Sequence, residues 1–471
     1  MSVKLFQVFD IESRWLFDGE KRLDASFYAK DVIASKILIG ELEESGIAIE
    51  TIDTMSKDIF HRSRFKRNYV GIGEGLPFLT PTDLLMFPLK PRKSVVNPPE
   101  GLQVSPGWIL ITCSGTIGRT IIANRFISSC ILSHDVIRII PKNGNLFGYL
   151  YAYLNTWMGQ AFLTKDRYGA TVKHIEPHHV ATIPIPHIPE LEEEINQKVL
   201  EAHRLREEAQ ELLLKAEEML YSELRLPKIS EDDVEYFGGE KAGIVKSFEI
   251  KASELNLRLD ASYHEPIVQM VKSNLSHAKF PLQKLSFLAK SIFIPPRFKR
   301  PYTQNKSDSI PFLSGSHLIG TKPLDVKYLW KNFKRINLYK IYSNWILISA
   351  RGTVGRPYLV TEETNGFTAS DNIIRCIPDE SKILSSYLCA FLLTSYALYQ
   401  IQAQKAGSVQ DLLQPILLTD ICVPVPPLDV QRKIGNLVFE AYDKRDKANQ
   451  IEDEAIKLLE RRLKEIAVGK L

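Results

Sequence analysis

The feature of this 471-residue chain that most limits its fold is an internal duplication. Six blocks of similar sequence recur in the same order: RLDASFY (22–28) and RLDASYH (258–264), FHRSRFKRNY (60–69) and FIPPRFKRPY (293–302), LPFLTPTDL (76–84) and IPFLSGSHL (310–318), WILITCSGTIGR (108–119) and WILISARGTVGR (345–356), SHDVIRIIP (133–141) and SDNIIRCIP (370–378), and IPIP (183–186) and VPVP (423–426). The offset between partners stays between 233 and 240 residues. Because solenoid repeats have periods of only about 20–50 residues, this offset indicates that a whole domain has been duplicated.

Each copy is predicted to combine a mixed domain with a long helix. Short runs such as WILI, DVIRII and IPFL are rich in isoleucine, valine and aromatic residues, which is typical of strands. The segments 190–224 and 428–466 differ, because their apolar residues recur at steps of three and four on an otherwise charged surface. The simplest partner for each apolar stripe is the other helix, so the two arms are predicted to form a coiled coil.

These elements predict an α+β fold class, in which a mixed α/β domain followed by a long helix is duplicated in tandem. The predicted boundaries are 1–188 for the first domain, 189–225 for the first arm, 226–247 for a linker, 248–426 for the second domain and 427–471 for the second arm. An arm of this length would extend about 52 Å, at ~1.5 Å of rise per residue.

Two uncharged segments, 143–164 and 383–404, are long enough to cross a membrane. Both are rich in polar residues or glycine, so we expect buried helices instead. The N-terminus has no apolar signal sequence, and the five cysteines are odd in number and widely spaced. We therefore expect a cytoplasmic protein in a reducing compartment.

The net charge of +4 hides an uneven distribution along the chain. Residues 1–189 carry 21 basic and 18 acidic residues, and residues 248–427 carry 21 and 13. The first arm, residues 190–225, carries only 5 basic residues against 11 acidic ones. Basic domains on an acidic arm favour a protein whose domains, and not its arms, contact phosphate groups.

Within the domains, basic residues interleaved with aromatic ones occupy equivalent positions. Guanidinium and ammonium groups in such a pattern can bind phosphates or guanine edges. The alternative is a solvated charged loop, but the recurrence of RFKR in both copies favours DNA binding. The candidate residues are Arg62, Arg64, Lys66, Arg67 and Tyr69 in the first copy, and Arg297, Lys299, Arg300 and Tyr302 in the second.

The SGTIGR and RGTVGR hexads are a second candidate DNA-binding feature. Their glycines permit tight turns, and their hydroxyl and amide groups could approach a phosphate closely. A purely structural strand–turn–strand connection is equally consistent with the pattern. The candidate residues are Ser114, Thr116 and Arg119 in the first copy, Arg351, Thr353 and Arg356 in the second, and Lys173 and His174 in a loop that we expect to face DNA or to be structural.

No catalytic motif emerges from the sequence. The tetrad Asn97–Glu100 (NPPE) resembles an adenine-methyltransferase motif but lacks its stacking aromatic residue, and we interpret it as a proline loop. The histidines His174, His178 and His179 have no counterparts in the second copy and no second ligand pair, so no zinc site is predicted. Arginine and aspartate in the two RLDAS blocks are interpreted as salt-bridged helix entries. We predict that the chain carries out no chemistry itself.

In combination and order, these motifs resemble the specificity (S) subunit of type I restriction–modification systems. The resemblance is carried by the RLDAS blocks, the WILIxxxGT[IV]GR blocks and the [IV]P[IV]P tetrads before the arms, and it extends over essentially the whole chain. It implies that the domains are target-recognition domains, each reading one half of a split double-stranded DNA site. It also implies that the two arms pair in antiparallel orientation.

The resemblance further implies a non-catalytic subunit with protein partners. These are methyltransferase (M) subunits, expected to be two, and restriction (R) subunits. S-adenosylmethionine and ATP with Mg²⁺ are expected on those partners, and no cofactor is expected on this chain. Because the two domains are only distantly alike, the implied DNA site is asymmetric.

Two other function classes remain open from the sequence. A degenerate fused methyltransferase or nuclease would bind S-adenosylmethionine itself. A non-DNA scaffold or anti-restriction decoy would show no salt-dependent duplex binding. For the DNA-reading interpretation, two readers on a ~52 Å rod reach half-sites up to roughly 15 base pairs apart, and we expect arm length to set their spacing.

Overall fold

A computed structural model describes residues 25–71, 73–142, 147–169, 172–229, 247–255, 258–404 and 412–469, together with positions 13 and 234. Most of the predicted linker and residues Arg22 and Asp24 of the first RLDAS block lie outside the described residues. The α-helices are α1 (Lys30–Glu44), α2 (Ile52–Met55), α3 (Arg125–Ser128), α4 (Phe147–Asn155), α5 (Trp157–Lys165), α6 (Pro177–Ala181), α7 (Pro189–Leu224), α8 (Ala261–His264), α9 (Pro266–Ser276), α10 (Leu285–Leu288), α11 (Gly315–Ile319), α12 (Ser385–Leu392), α13 (Ser395–Ala403), α14 (Pro415–Leu418) and α15 (Leu428–Ala467). Short 3-10 helices cover Asp83–Leu85, Ala252–Glu254, Lys306–Asp308, Ile336–Leu338 and Glu362–Thr364.

The strands are short, and each copy contains its own similar set of them. In the first copy they are β1 (Ala48–Thr51), β2 (Ser56–Phe60), β3 (Tyr69–Val70), β4 (Leu76–Leu79), β5 (Lys93–Val95), β6 (Ile109–Thr112), β7 (Thr120–Ile122), β8 (Ile131–Leu132), β9 (Val136–Pro141) and β10 (Pro184–His187). In the second they are β11 (Leu282–Lys284), β12 (Ala289–Phe293), β13 (Ser309–Leu313), β14 (Lys327–Trp330), β15 (Ile346–Ser349), β16 (Pro357–Leu359), β17 (Thr368–Ala369), β18 (Ile373–Pro378) and β19 (Cys422–Pro424).

Sheet topology is closely similar in the two copies. The first copy contains a sheet ordered β2-β9-β6-β7, and the second contains β12-β18-β15-β16 at equivalent positions. A second sheet is ordered β3-β5-β4-β8 in the first copy and β14-β13-β17 in the second. A two-stranded ladder, β1-β10 or β11-β19, joins the start of each copy to the strand that precedes its arm. This shared topology confirms the predicted duplication of a mixed domain.

The two arms pair in antiparallel orientation, as predicted. One apolar cluster joins Ile195 and Val199, early in α7, to Leu459 and Leu463, late in α15. The other joins the second half of α7 to the first half of α15. The core of each domain is continuous with one of these clusters, so each domain packs against the beginning of one arm and the end of the other. The boundaries of the domains themselves stay a prediction.

The described parts of the two uncharged segments, residues 147–164 and 383–404, are mostly buried, but each contains two short helices, not one. α4 and α5 are separated by Thr156, whose side chain accepts a hydrogen bond from Gly159 N at 3.0 Å. Thr394 caps α13 in the same way. A threonine at this position caps the start of the second helix, because its side chain accepts a hydrogen bond from a first-turn backbone N–H group that has no partner within the helix. Among the described residues, no helix is long and apolar enough to cross a membrane.

The RLDAS interpretation can be checked in the second copy. Arg258 forms an ion pair with Asp260 at 2.6 Å, and Asp260 is the residue directly before α8. The side-chain hydrogen bond from Arg258 lowers the pKa of Asp260. The predicted salt-bridged helix entry is therefore confirmed at this position.

Close packing of each domain on its arm depends on one glycine. A Cβ atom at Gly148, on α4, would lie 2.5 Å from Asn196 Oδ1 and 3.0 Å from Asn196 O on α7. In the second copy the small residue is on the arm, where a Cβ at Gly435 would collide with Ser386 Oγ. The two copies thus achieve the same close approach with the glycine on opposite partners.

We expect Gly148→Ala to destabilise the protein by about 1–3 kcal/mol, because overpacking costs more than the ~1 kcal/mol that alanine gains over glycine within a helix. The matched control is Gly40→Ala in α1, where no atom lies within 4 Å of the added Cβ. Thermal unfolding of the two variants is the measurement. A Tm for Gly148→Ala equal to or above that of Gly40→Ala would contradict this packing argument.

Candidate DNA interface

Three chain segments meet at one end of the main sheet in each copy. β2 pairs with β9 so that Phe60 lies opposite Arg138, and β6 pairs with β9 so that Thr112 lies opposite Val136. The ends of β2 and β6 and the beginning of β9 therefore lie side by side at the same end of the sheet. The first basic loop (residues 61–68) starts there, beside residues 133–135. The second basic loop (residues 294–301) is placed equivalently, since Phe293 lies opposite Arg375.

The last arginine of each RFKR motif anchors its loop to the domain. Arg67 donates to Ser133 Oγ at 3.1 Å and lies 3.6 Å from Asp135. Arg300 is bound by Asp371 at 2.7 Å, and this hydrogen-bonded contact raises the pKa of Arg300. The two arginines shape the loops, and their side chains are already engaged within their own domains.

The other basic residues of these loops are exposed, apart from Arg62, which is half-buried. Arg62 is partly engaged, because its Nε donates to Gly101 O at 2.8 Å and its guanidinium lies over the Phe60 ring. Four side chains at equivalent positions are exposed at the surface and form no hydrogen bond or ion pair with any residue that the structure describes. These four are Arg64, Lys66, Arg297 and Lys299.

A cluster of aromatic side chains that pack against one another, here called the aromatic framework, supports each basic loop. Phe65 and Tyr69 both pack edge-on against Phe78. In the second copy, Phe298 stacks on Tyr339 with ring centroids 3.8 Å apart. These rings fix the loop backbones and direct the alternating basic side chains outward.

Each framework also presents a tyrosine paired with a lysine. Tyr69 is 44% exposed and Tyr302 is 46% exposed. Lys93 lies 4.4 Å from the Tyr69 ring centroid, and Lys327 lies 5.0 Å from that of Tyr302. The two lysines were missed by sequence reasoning, although they occupy equivalent positions when the flanking repeat blocks are aligned.

A buried arginine lies beneath each basic loop. Arg138 and Arg375 are both 0% exposed, and each binds backbone carbonyls instead of a carboxylate. Arg138 donates to Leu132 O and Ser133 O, next to the side chains that hold Arg67. Burial lowers the pKa of both arginines to about 10, so they remain charged at neutral pH. Each thus ties the anchoring segment of the loop to the sheet.

The SGTIGR turn uses most of its polar groups internally. Thr112 Oγ1 accepts from Arg119 N and donates to Thr116 O, and Gly118 N donates to Thr112 O. Gly115 has φ +73° and Gly118 φ +80°, which favours glycine at both positions. This geometry supports the structural strand–turn–strand interpretation. Thr116 remains exposed at the tip of the turn.

A second loop docks on this turn. Ser114 Oγ lies 2.9 Å from His174 Nδ1, and Gly115 N donates to Lys173 O. The Lys173 side chain is exposed, and its ammonium donates to Gly169 O at 2.6 Å. The structure thus brings the predicted residues Ser114, Lys173 and His174 together at one site.

The second turn repeats this architecture. Ser349 Oγ donates to Thr353 O and accepts from Arg356 N, and Arg351 forms an isolated bridge with Leu412. The predicted residues Arg351 and Thr353 are half-buried here. A contribution of either turn to DNA binding stays a prediction.

The last arginine of each turn faces the opposite domain. Arg119 forms an ion pair with Asp325 of the second domain. Burial lowers the pKa of Arg356, and the groups of the first domain that affect it are Arg92 and Asp83. The structure places both arginines, which the sequence assigns to DNA binding, at the contact between the domains. The sequence could not show this, since the contact joins positions in different copies that are far apart along the chain.

The two candidate DNA-binding sites have equivalent aromatic frameworks, but the surrounding loops present different side chains. The first copy has His61, Tyr168 and Glu176 in a hydrogen-bonded cluster, in which Glu176 lies 2.9 Å from His61 Nε2. The second copy instead exposes Lys334 and Arg335, next to the aromatic stack around Phe298. Equivalent frameworks therefore present different side chains. Within the described part of the chain, no group of three or more potential metal ligands occurs.

Comparison of the sequence with models of protein families identifies the family of this chain. The model of the type I restriction modification DNA specificity domain matches residues 64–205 and 294–458, one segment in each copy. Together these segments make up more than half of the chain. The chain belongs to this family. As a member of it, the protein is a non-catalytic specificity subunit that recognises DNA sequence.

Solved structures show a weaker likeness. The type I restriction–modification S subunit from M. genitalium is 13% identical with a TM-score of 0.37, over 89% of this chain and 96% of that one. The HsdS subunit from Thermoanaerobacter tengcongensis is 14% identical with a TM-score of 0.29, over 90% and 97%. No curated protein sequence matches the chain significantly. The family assignment rests on the family model.

Proposed function

We propose that this subunit reads a two-part, asymmetric site in double-stranded DNA and holds methyltransferase subunits on it. The observation that carries this proposal is the repetition of one exposed basic loop on two domains joined by an antiparallel coiled coil. Each loop offers two unengaged cations, Arg64 with Lys66 or Arg297 with Lys299, above an anchored arginine. A surface of this kind suits the phosphate backbone and guanine edges of a DNA groove.

Asymmetry of the site follows from the differences between the two surfaces. The first presents the cluster of His61, Tyr168 and Glu176, whereas the second presents Lys334 and Arg335. Specificity in a groove depends on which donors and acceptors meet the base edges. Two frameworks with different side chains are therefore expected to read different half-sequences.

The partners in this proposal are two methyltransferase subunits, with restriction subunits joining for cleavage. The arms are the surface proposed for docking, because much of α7 and α15 is charged and exposed beyond the apolar seam. S-adenosylmethionine is then bound by the methyltransferase subunits, and ATP with Mg²⁺ by the restriction subunits. In this proposal, this chain selects the DNA sequence and positions the partner subunits on it. Its proposed location is the cytoplasm.

The test is co-expression with a methyltransferase subunit from a type I system, followed by sequencing of methylated sites. We expect one asymmetric motif with two specified half-sequences and an unspecified spacer between them. Binding of the purified complex to that duplex should weaken steeply with salt, since each neutralised phosphate contributes about −0.9 to the slope of log K against log salt concentration. A single continuous motif, or binding that is independent of salt, would contradict the proposal.

A further inference from the structure

The two DNA-reading domains contact each other directly. Met86 and Gly320 form an antiparallel β-bridge between the domains. Phe87 N donates to Ile319 O at 2.9 Å, and Thr321 N donates to Leu85 O at 2.8 Å. We call residues 85–90 and 319–325 the interdomain clasp.

The clasp joins the same segment of both copies. Met86 follows the repeat block 76–84, and Gly320 stands at the same position after the equivalent block 310–318. A contact in which equivalent surfaces meet each other has the form of a two-fold symmetric interface. The two copies in this chain therefore meet in the way that two identical subunits meet in a symmetric dimer.

An ion pair reinforces the clasp on one side, and a half-buried arginine lies at the equivalent place on the other. Asp325 binds Arg119, the last residue of the first GTIGR turn. The repeat counterpart of Arg119 is Arg356, which lies half-buried near Asp83 and Arg92 of the first domain. Asp83 in turn binds Arg92 at 2.6 Å. The first turn is thus ion-paired with the opposite domain, and the second turn places Arg356 beside it.

The clasp is also attached to both arms. Lys322 donates to Glu452 on α15 at 2.7 Å, and Asn449 Nδ2 donates to Thr321 O at 3.0 Å. On the other side, the backbone of Leu89 exchanges two hydrogen bonds with Gln210 on α7. Rotation of one domain relative to the other would break hydrogen bonds to the opposite domain and to an arm together.

We propose that the interdomain clasp, in addition to arm length, selects the number of base pairs between the two half-sites. This inference rests on the proposed function of reading a two-part site. Each added base pair moves a half-site by ~3.4 Å along the helix and turns it by about one tenth of a turn. Domains held by the clasp cannot follow that movement, so the clasped protein binds one spacer length.

The test is charge reversal in the methyltransferase complex. Asp325→Arg places two arginines against each other, which opposes closure of the clasp more strongly than loss of the ion pair alone. Binding is measured on duplexes that carry the motif found by methylation sequencing, with the spacer one base pair shorter, unchanged or one longer. We expect the native protein to prefer one spacer by at least about tenfold, and Asp325→Arg to prefer it by less than about threefold.

A rescue variant and a matched control accompany this measurement. The double variant Arg119→Asp with Asp325→Arg restores an ion pair and should restore the tenfold preference. The control Asp420→Arg makes the same charge change in an exposed pair with Lys284, inside one domain, and should keep the native preference. An unchanged spacer preference in Asp325→Arg, or equal broadening in Asp420→Arg, would overturn the inference. If the native complex reads no two-part motif, the proposed function has failed instead.

A cross-link tests the same inference without weakening the clasp. Gly320 has φ −84°, which any residue can adopt, and an added Cβ would lie 3.1 Å from Lys322 O, so the backbone there has to shift by a few tenths of an ångström. Residues paired across an antiparallel bridge are close enough for a disulfide. Met86→Cys with Gly320→Cys should form this disulfide on oxidation and keep the native affinity and spacer preference. Loss of DNA binding on oxidation, recovered on reduction, would show that the domains must separate to bind and would overturn the proposal.

Discussion

Replacing Arg64 and Lys66 together with alanine is expected to weaken recognition of one half-site by about ten- to a hundredfold, while the other half-sequence is still read. Both side chains are exposed on the first basic loop and have no described partner. The charge that they carry is therefore free for DNA, and its removal costs no internal contact. Replacement of Arg297 and Lys299 should produce the same loss at the other half-site.

The measurement is binding to duplexes in which one half-sequence at a time is scrambled, over a series of salt concentrations. If both residues contact phosphates, each double variant should reduce the salt slope by about 2. Lys57 on β2 and Lys290 on β12 supply matched controls, since they are exposed, equivalent by repeat and located towards the opposite ends of the same strands. Equal loss at both half-sites for one double variant would indicate a folding defect and contradict the assignment.

Glu452→Ala is expected to be the most destabilising single substitution among those considered, at about 3–5 kcal/mol. Its carboxylate is buried and accepts hydrogen bonds from Arg206 on α7, Tyr151 on α4 and Lys322 of the clasp. One group therefore joins both arms and both domains. Without it, the Arg206 guanidinium and the Tyr151 hydroxyl remain buried without this acceptor, and this desolvation is the main cost. Lys322 keeps its ion pair with Asp453, and Arg206 keeps a hydrogen bond to Asn449.

The acid response of Glu452 provides a further measurement. Burial alone would raise the pKa of this carboxyl, but Arg206 and Lys322 lower it from 4.5 to about 2. Because the folded-state pKa lies below the unfolded one, the stabilisation is complete above pH 4.5 and is lost as the pH falls towards 2. Glu452→Gln should therefore show a smaller loss of Tm than the native protein over this range.

A control on the same helix separates this effect from a general one. Glu454 is two residues away but exposed, with no hydrogen bond or ion pair to the described residues. Its replacement by alanine should change Tm little. Similar Tm values for Glu452→Ala and Glu454→Ala at neutral pH would show that the buried carboxylate does not join the four parts of the molecule.

Much of the candidate site could be predicted from local patterns. The RFKR motifs combine aromatic and basic residues at alternating positions, and the structure shows Phe65 supporting the loop while Arg64 and Lys66 are exposed. Repetition of the motif was the useful signal, because a solvated loop has no reason to keep the same order twice. The same comparison could have found Lys93 and Lys327, which lie over Tyr69 and Tyr302.

Other parts of the site could not be predicted, for identifiable reasons. Arg67 and Arg64 belong to one motif, yet Arg67 is held by Ser133 and Asp135, which lie on a distant segment of the chain. Likewise, Arg119 differs from a phosphate-binding arginine only by its ion pair with Asp325. In each case, the role of the side chain depends on a partner that local sequence does not reveal.

The sequence by itself determined the duplication, the strand class of runs such as WILI, the helical class of the arms and the pairing of the arms. These follow from periodicity and repetition, which depend on the bonding geometry of strands and helices and need no knowledge of distant contacts. Only the tertiary structure decided that the domains meet at Met86 and Gly320, and that Glu452 binds Arg206, Tyr151 and Lys322. Such contacts join segments from both copies and both arms across the folded chain. They are selected by three-dimensional packing and by the high cost of burying an unpaired charge, which a linear pattern does not encode.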